Sequence, residues 1–308
     1  MVIWISLLIN MPFFSIIIPT YNRAHTIRRP IDSILAQTFT DWELIIVDDG
    51  STDDTKTMVT SYTDKRIKYI WQPNKERSSA RNLGISKARG KFMCFLDSDD
   101  EYIAHHLETH HTAIVNNPAI KVFRTGLLYL KDNVCFNKSL NRPGAFLDHY
   151  PFEHSVYFSF HHSVFDNIKF DERFFIMEDM HLLLRVGKRY EIKQINDWTY
   201  IYHFNLENSG GLGKKYERIL INKKACLNDM LHFSDGPVKF YIKWTICVSE
   251  ILLAFGHMNA QRRKIPMSIV GNANVFFRFP LIYLNVTFRI IYVKFGEWSG
   301  LYRNEYRF

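Results

Sequence analysis

Between residues 15 and 96, short apolar runs rich in β-branched residues alternate with amphipathic stretches of helical period, and this alternation restricts the fold more than any other feature. The run Ser15-Ile16-Ile17-Ile18-Pro19 precedes a helical pattern over 25–37, with Ile27, Ile31, Ile34 and Leu35 on one face. A strand-like run at 43–47 enters the polar turn Asp48-Asp49-Gly50-Ser51. Helix is then expected over 53–62, strand over 67–71, helix over 78–88 and strand over 91–96. Strands and helices in strict alternation build a parallel, doubly wound α/β sheet, and such sheets bind ligands beyond the carboxyl ends of their strands. Three of those ends carry polar clusters: Thr20-Tyr21-Asn22-Arg23, Asp48-Asp49-Gly50-Ser51 and Asp97-Ser98-Asp99.

Further along, aromatic-rich strands are expected at 122–130, 157–160 and 199–204 around one helix at 179–190, completing the same domain as an α+β half. Beyond 210 the texture becomes basic and helical, over 216–233, 238–255 and a Phe/Tyr-rich stretch at 275–293. Residues 1–210 hold 24 Lys/Arg and 25 Asp/Glu, whereas 211–308 hold 15 and 6, so the whole basic excess lies in the last third. A near-neutral body with a basic appendage argues against a nucleic-acid-binding protein. Aromatics beside basic residues in that appendage fit an anionic membrane surface as a partner. Residues 1–10 are an apolar leader, with Met11 as an alternative start, and the run ending at Pro19 reads as a buried strand, not a membrane span. The four cysteines, Cys94, Cys135, Cys226 and Cys247, form no C-x-x-C pair, which suits a reducing compartment, and Cys94 sits in a run expected to be core.

The first strand–helix turn contains no glycine, so neither a dinucleotide fingerprint nor a P-loop is present, and some other group must hold a phosphate. Asp97-Ser98-Asp99 is the strongest candidate: two carboxylates at the rim of a buried strand offer hard oxygen ligands to Mg²⁺ or Mn²⁺. Asp48 and Asp49 close the second strand. A carboxylate there can accept from a nucleobase or ribose, or form an Asx turn with Gly50 at positive φ, one role for each residue. The His pairs within 105–111 are spaced for one helix face, yet no third metal ligand is evident.

In order along the chain, 15–23 (SIIIPTYNR), 33–38 (SILAQT), 43–53 (ELIIVDDGSTD), 80–85 (ARNLGI) and 95–100 (FLDSDD) resemble the blocks of family 2 glycosyltransferases. Residues 169–174 (KFDERF) and Glu178-Asp179 resemble that family's F-D-E and E-D blocks, and the resemblance covers about residues 13–210. It implies a GT-A fold at 11–210, an inverting mechanism, a nucleotide-diphosphate sugar donor (a UDP-sugar by family analogy) and a divalent metal, Mn²⁺ or Mg²⁺. By the same resemblance Thr20, Tyr21 and Asp49 line the nucleoside pocket, with Asp49 reading the base, and Arg77 or Arg81 packs near the nucleotide. Asp97 contacts ribose or the metal shell, Asp99 ligates the metal, His203 stands near the diphosphate as a further ligand, and Asp179 is the general base. Pro19, Arg23, Ser51, Asn82 and Ser98 complete the expected nucleotide-sugar-binding set.

The expected function is therefore sugar transfer to a saccharide or lipid-linked acceptor, in the cytoplasm or peripherally at the inner face of the cell membrane. Two rivals use the same residues: a metal-dependent nucleotidyl or phosphoryl transferase, and a catalytically silent nucleotide-sugar-binding protein. Sugar transfer releases a nucleoside diphosphate and nucleotidyl transfer releases pyrophosphate. The joint presence of Asp49, Asp97, Asp99 and Asp179 weighs against a silent site.

Overall fold

Buried, almost uninterrupted apolar strands fix the centre of the molecule. The computed structural model describes residues 11–131, 134–139, 155–203 and 214–235, with scattered residues up to 246, all within one compact unit. Strands β1 (Phe14–Thr20) and β2 (Trp42–Asp48) are buried at nearly every position, and β4 (Phe92–Phe95) at all four. With β3 (Ile67–Trp71) they form the parallel half of the sheet, in the order β3-β2-β1-β4. Pro19 is tolerated in this central strand because β4 pairs with β1 only as far as Ile17↔Phe95. Proline's missing N–H therefore deprives no neighbour of a bond on that side.

Between these strands run α1 (Arg28–Leu35), α2 (Thr55–Thr60) and α3 (Glu76–Lys87). Helix α3 approaches β1 so closely that a Cβ on Gly84 would lie 2.4 Å from Ile17 Cγ2, so alanine there would force the two elements apart. The remaining strands convert the sheet to a mixed one, completing the order β4-β8-β6-β9-β5 with β7 (Val134–Ser139) beside β6. Here β8 (Phe158–His161) runs antiparallel between β4 and β6 (Val122–Lys131). Strand β9 (Ile192–His203) lies parallel to β6 and antiparallel to the short β5 (Glu101–Tyr102). The sheet is thus parallel over the alternating first hundred residues and mixed beyond them. Helix α4 (His106–Asn116) follows β5, α5 (Glu178–Gly187) precedes β9, and α6 (Lys214–Leu231) packs on α5. Expected features at 1–10 and 275–293, and most of 238–255, lie outside the described residues. No described helix is long and apolar enough to cross a membrane.

The His pairs of 105–111 serve the core. His106 and His110 are fully buried one turn apart on α4, and the His106 ring stacks on Tyr102 with centroids 3.7 Å apart. His106 Nδ1 lies 2.6 Å from Thr199 Oγ1, which itself donates to Thr125 Oγ1 at 2.9 Å. Nδ1 of His110 meets Ser159 Oγ at 2.8 Å. Burial depresses both basicities, that of His110 to about 3. Since the unfolded chain titrates near pH 6.5, the stability tied to keeping these rings neutral is complete above that pH and is lost as pH falls towards the folded value. Each such ring adds a slope of about 1.4 kcal/mol per pH unit below pH 6. The H106Q/H110Q variant should lose part of the slope of urea stability between pH 7 and 5. An unchanged slope would show that these rings do not control acid stability.

Candidate active site

The three strand ends marked in the sequence meet in one cleft. It has a volume of about 340 Å³ and is lined by Pro19, Thr20, Tyr21 and Arg23 after β1, by Asp49 after β2, and by Asp97, Ser98 and Asp99 after β4. Arg77 and Arg81 reach it from the first turns of α3, and His203 from the end of β9. Asn74, Glu76, Asp100 and Tyr202 also line it and were not among the expected site residues. The volume lies within the range of small-molecule clefts.

The adjacent aspartates of β2 divide their tasks. Asp48 Oδ1 accepts from Ser51 N at 2.8 Å, closing a turn in which Gly50 has φ +84°, and its Oδ2 accepts from Tyr69 Oη at 2.6 Å. Asp49 faces the cleft, where its Oδ1 accepts from Gln72 Nε2 (2.6 Å) and Lys75 N (2.9 Å). Burial raises its pKa against those bonds, and the nearby Glu76 charge adds to the rise. Glu76 itself takes φ +69°, a conformation that costs a non-glycine residue about 1–2 kcal/mol. Its Oε1 is held by Arg218 Nη2 at 2.7 Å.

Under the cleft floor lies a buried charge network. The Arg81 side chain is 1% exposed and joins Asp97 Oδ1 through Nη2 and Glu178 Oε1 through Nη1, each at 2.9 Å. Asp179 Oδ1 stands 3.5 Å from the same Nη1 and accepts from Ser155 Oγ. Arg77 adds a second cation 3.5 Å from Glu178 Oε1. Although burial opposes it, the carboxylates of Asp179, Asp97 and Glu178 push the Arg81 pKa up, and burial pushes that of Glu178 up as well. Two cations thus face three acids. Asp179 does not line the cleft but lies behind Arg81, with its side chain 9% exposed against 3% for Glu178. The residue before α5, Met177, has φ +61° and makes no side-chain cap. Asp179 is therefore not an N-cap; its carboxylate belongs to the charge network.

Asp99 Oδ2 is 3.4 Å from Arg23 Nη2, and both side chains are about a quarter exposed. Burial, then the Asp97 charge, raises the Asp99 pKa. A divalent cation would relieve that crowding of negative charge, and the carboxylates of Asp97 and Asp99 are the hard oxygen donors such an ion requires. The donor set therefore fits a metal. Asp100 is buried behind them, accepting from Tyr200 Oη (2.5 Å) and His203 N (2.9 Å), and so fastens the end of β9 to this turn. His203 Nε2 is 2.8 Å from Glu101 Oε1, so its ring pairs with a carboxylate at the cleft edge.

Two expected binding residues stand elsewhere. Ser51 Oγ accepts from Asn22 N at 2.9 Å and braces the first two loops against each other. Asn82 donates to Phe170 O and Glu172 Oε1, both at 2.9 Å, and its Oδ1 accepts from Phe170 N, tying α3 to the loop at 170–172. Apart from the cleft, Asp171, His181 and Asp229 bring potential ligand atoms within 4.8 Å of one another. Arg173 already donates to both carboxylates, at 2.6 and 3.0 Å, so that group is a charge-balanced cluster.

Residues 15–174, just over half the chain, match the family described as Glycosyl transferase family 2. Over 104 residues the chain is 43% identical to UDP-Glc:alpha-D-GlcNAc-diphosphoundecaprenol beta-1,3-glucosyltransferase WfgD of Escherichia coli, a stretch covering 33% of this chain and 41% of that protein. Mannosyltransferase PcManGT from Pyrobaculum calidifontis, solved with GDP-Man and Mn²⁺, superposes with a TM-score of 0.58 at 16% identity, over 87% of this chain and 81% of that one. S. aureus TarS 1–349, solved with UDP-GlcNAc, gives 0.56 at 20% identity, over 80% and 72%. These two likenesses establish the GT-A-type fold.

Proposed function

The chain belongs to glycosyl transferase family 2 and is a glycosyltransferase, and we propose that it moves a sugar, with inversion, from a UDP-sugar to a hydroxyl of a lipid-linked saccharide. One observation carries the reading: Asp49, at the end of β2, and Asp97 and Asp99, at the end of β4, converge on a cleft whose other wall is cationic, with Arg23, Arg77 and Arg81. The acids suit a base, a ribose and a metal; the cations suit a departing diphosphate. Support for the donor comes from the E. coli relative, named for UDP-Glc, and from the UDP-GlcNAc bound to TarS. Support for the acceptor comes from the diphosphoundecaprenol in the same relative's name. The basic excess beyond residue 210 is consistent with such an acceptor being met at an anionic membrane surface.

In this reading Asp49 accepts from the base and Tyr21 and Thr20 border it. Asp97 and Asp99 hold the metal, which when bound offsets charge on the diphosphate. Arg23 and Arg77 face the same leaving group. Asp179 takes the proton of the acceptor hydroxyl, a role that requires the acceptor to reach past Arg81, since this carboxylate lies outside the cleft lining. The acceptor oxygen then bonds to the anomeric carbon from the face opposite the diphosphate, and the C–O bond to phosphate breaks with its electron pair leaving on UDP. Incubation with UDP-glucose or UDP-N-acetylglucosamine, Mn²⁺ and a diphosphoundecaprenol-linked N-acetylglucosamine acceptor should release UDP and no sugar 1-phosphate. Release of the sugar 1-phosphate would favour nucleotidyl transfer instead.

Asp49→Asn tests the base contact with little disturbance, because the amide oxygen can still accept from Gln72 and Lys75. Hydrogen bonds to a charged group contribute about 1.5–3 kcal/mol, so UDP affinity by calorimetry should fall by about ten- to a hundredfold. Unchanged affinity in the folded variant would remove Asp49 from the donor site.

A further inference from the structure

Helix α6 lies beyond the family match, yet it holds the loop that delivers Glu178 and Asp179 to the charge network. Asn222, half-buried on that helix, makes three bonds to the loop backbone. Its Oδ1 accepts from Phe175 N (3.0 Å) and Ile176 N (3.2 Å), and its Nδ2 donates to Arg173 O (2.8 Å). One side chain thereby satisfies backbone groups on three of the five residues from Arg173 to Met177. From the opposite side Ser78 Oγ, on α3, donates to Phe174 O at 2.7 Å. The loop is thus pinned between the helix that carries Arg81 and the helix that carries Asn222. It ends at Met177, whose left-handed φ of +61° turns the chain into α5 with Glu178 and Asp179 in the first turn. A backbone held in a sparsely populated conformation persists only where its surroundings fix it.

The contact between α6 and this region is broad. Phe174, Met180 and Leu184 form an apolar cluster with Cys226, Leu227 and Met230. Asp229 accepts from Arg173 and pairs with His181 on α5, while Arg218 holds Glu76 at the cleft. Packing alone would seat the helix. The three bonds of Asn222 do something packing cannot, which is to set the height and rotation of the loop immediately before the two acids.

We propose that Asn222 is a positioning residue for sugar transfer, acting through loop 173–177 to hold the Asp179 carboxylate in its reactive place. The inference rests on Asp179 being the base, and the two can be separated experimentally. In the full chain, Asn222→Ala should lower kcat for UDP release from the UDP-sugar by about 10–100-fold, since small misplacements of catalytic groups have effects of that size. UDP affinity should stay within about twofold, because the loop does not line the nucleoside end. Asn222→Asp keeps the acceptor for Phe175 and Ile176 but sets an oxygen against Arg173 O, so it should recover only part of the rate, and it keeps the question open to test if the alanine variant folds poorly. The decisive comparison is Asn222→Ala on an Asp179→Asn background. Positioning through Asp179 requires that it then cost almost nothing further. A full additional 10–100-fold loss in the double variant would overturn the inference while leaving Asp179 as the base. Wild-type rates in Asp179→Asn alone would overturn the base assignment instead.

Discussion

Asp179→Asn should slow sugar transfer by roughly 10²–10⁴-fold, the range expected for loss of a general base, while leaving UDP affinity and melting temperature close to wild type. The amide replaces the carboxylate at equal size. Its oxygen can still accept from Ser155, and the neighbouring network passes from two cations against three acids to two against two. No buried charge is left without a partner, so the cost in stability is small although the site is almost enclosed. The reaction loses its proton acceptor, because an amide does not take up a proton near neutral pH. A variant that transfers sugar at the wild-type rate would make Asp179 a structural member of the network and direct attention to Glu178. The more buried Glu178, bonded to Arg81 at 2.9 Å, is the weaker candidate on geometry.

Arg81→Met should have the largest effect on stability, about 3–5 kcal/mol, the usual cost of removing one partner from a buried ion pair. Native domains have only about 5–15 kcal/mol in total, so a clear drop in the urea midpoint is expected at pH 7. Methionine can fill much of the space against the Phe170 ring, which the guanidinium overlies at 5.2 Å. The loss is therefore electrostatic more than steric. Glu178, 3% exposed, would keep only the more distant Arg77. Its folded pKa is already raised, and without Arg81 it must rise further. A carboxyl group whose folded pKa is raised destabilises the fold when ionised, and that penalty disappears as pH falls through the folded value. The gap between wild type and Arg81→Met should accordingly narrow as the solution is acidified from pH 7 to about 5. A difference below about 1 kcal/mol at pH 7, or one that does not shrink in acid, would show that the network is not what holds this floor together.

Much of the fold was legible because burial on both faces writes itself into a strand as an unbroken apolar run. Strands β1, β2 and β4 are such runs, β3 follows at its expected bounds, and the polar residues at their ends line the cleft. The two-residue β5 is too short to carry any period. The reversal that places β8 between β4 and β6 depends on pairings across about 35–70 residues, which no local pattern encodes. On α3, Arg77 and Arg81 are one turn apart and share the cleft face. Asn82 is one position further round the helix and points to the 170–172 loop instead. Motif membership alone could not separate them. Ser51 likewise shares a motif with a cleft residue, whereas the fold uses its hydroxyl to receive Asn22 N. The Arg81–Glu178 pair spans 97 residues and Asn222 reaches back 47 and 46 residues to its loop. Charge and helical period mark those side chains as polar members of helices, and only the folded chain supplies their partners.

The central claim is single-displacement transfer of a sugar from a nucleoside diphosphate, and the configuration of the new bond tests it most directly. An α-linked UDP-sugar that the enzyme turns over with Mn²⁺ should yield UDP and a glycoside whose anomeric proton shows β configuration by NMR. An α-glycoside from that donor would contradict the mechanism, because retention requires two displacements or a different reacting face. Transfer of the nucleotide moiety, with the sugar still attached to phosphate, would contradict the assignment of the reaction itself.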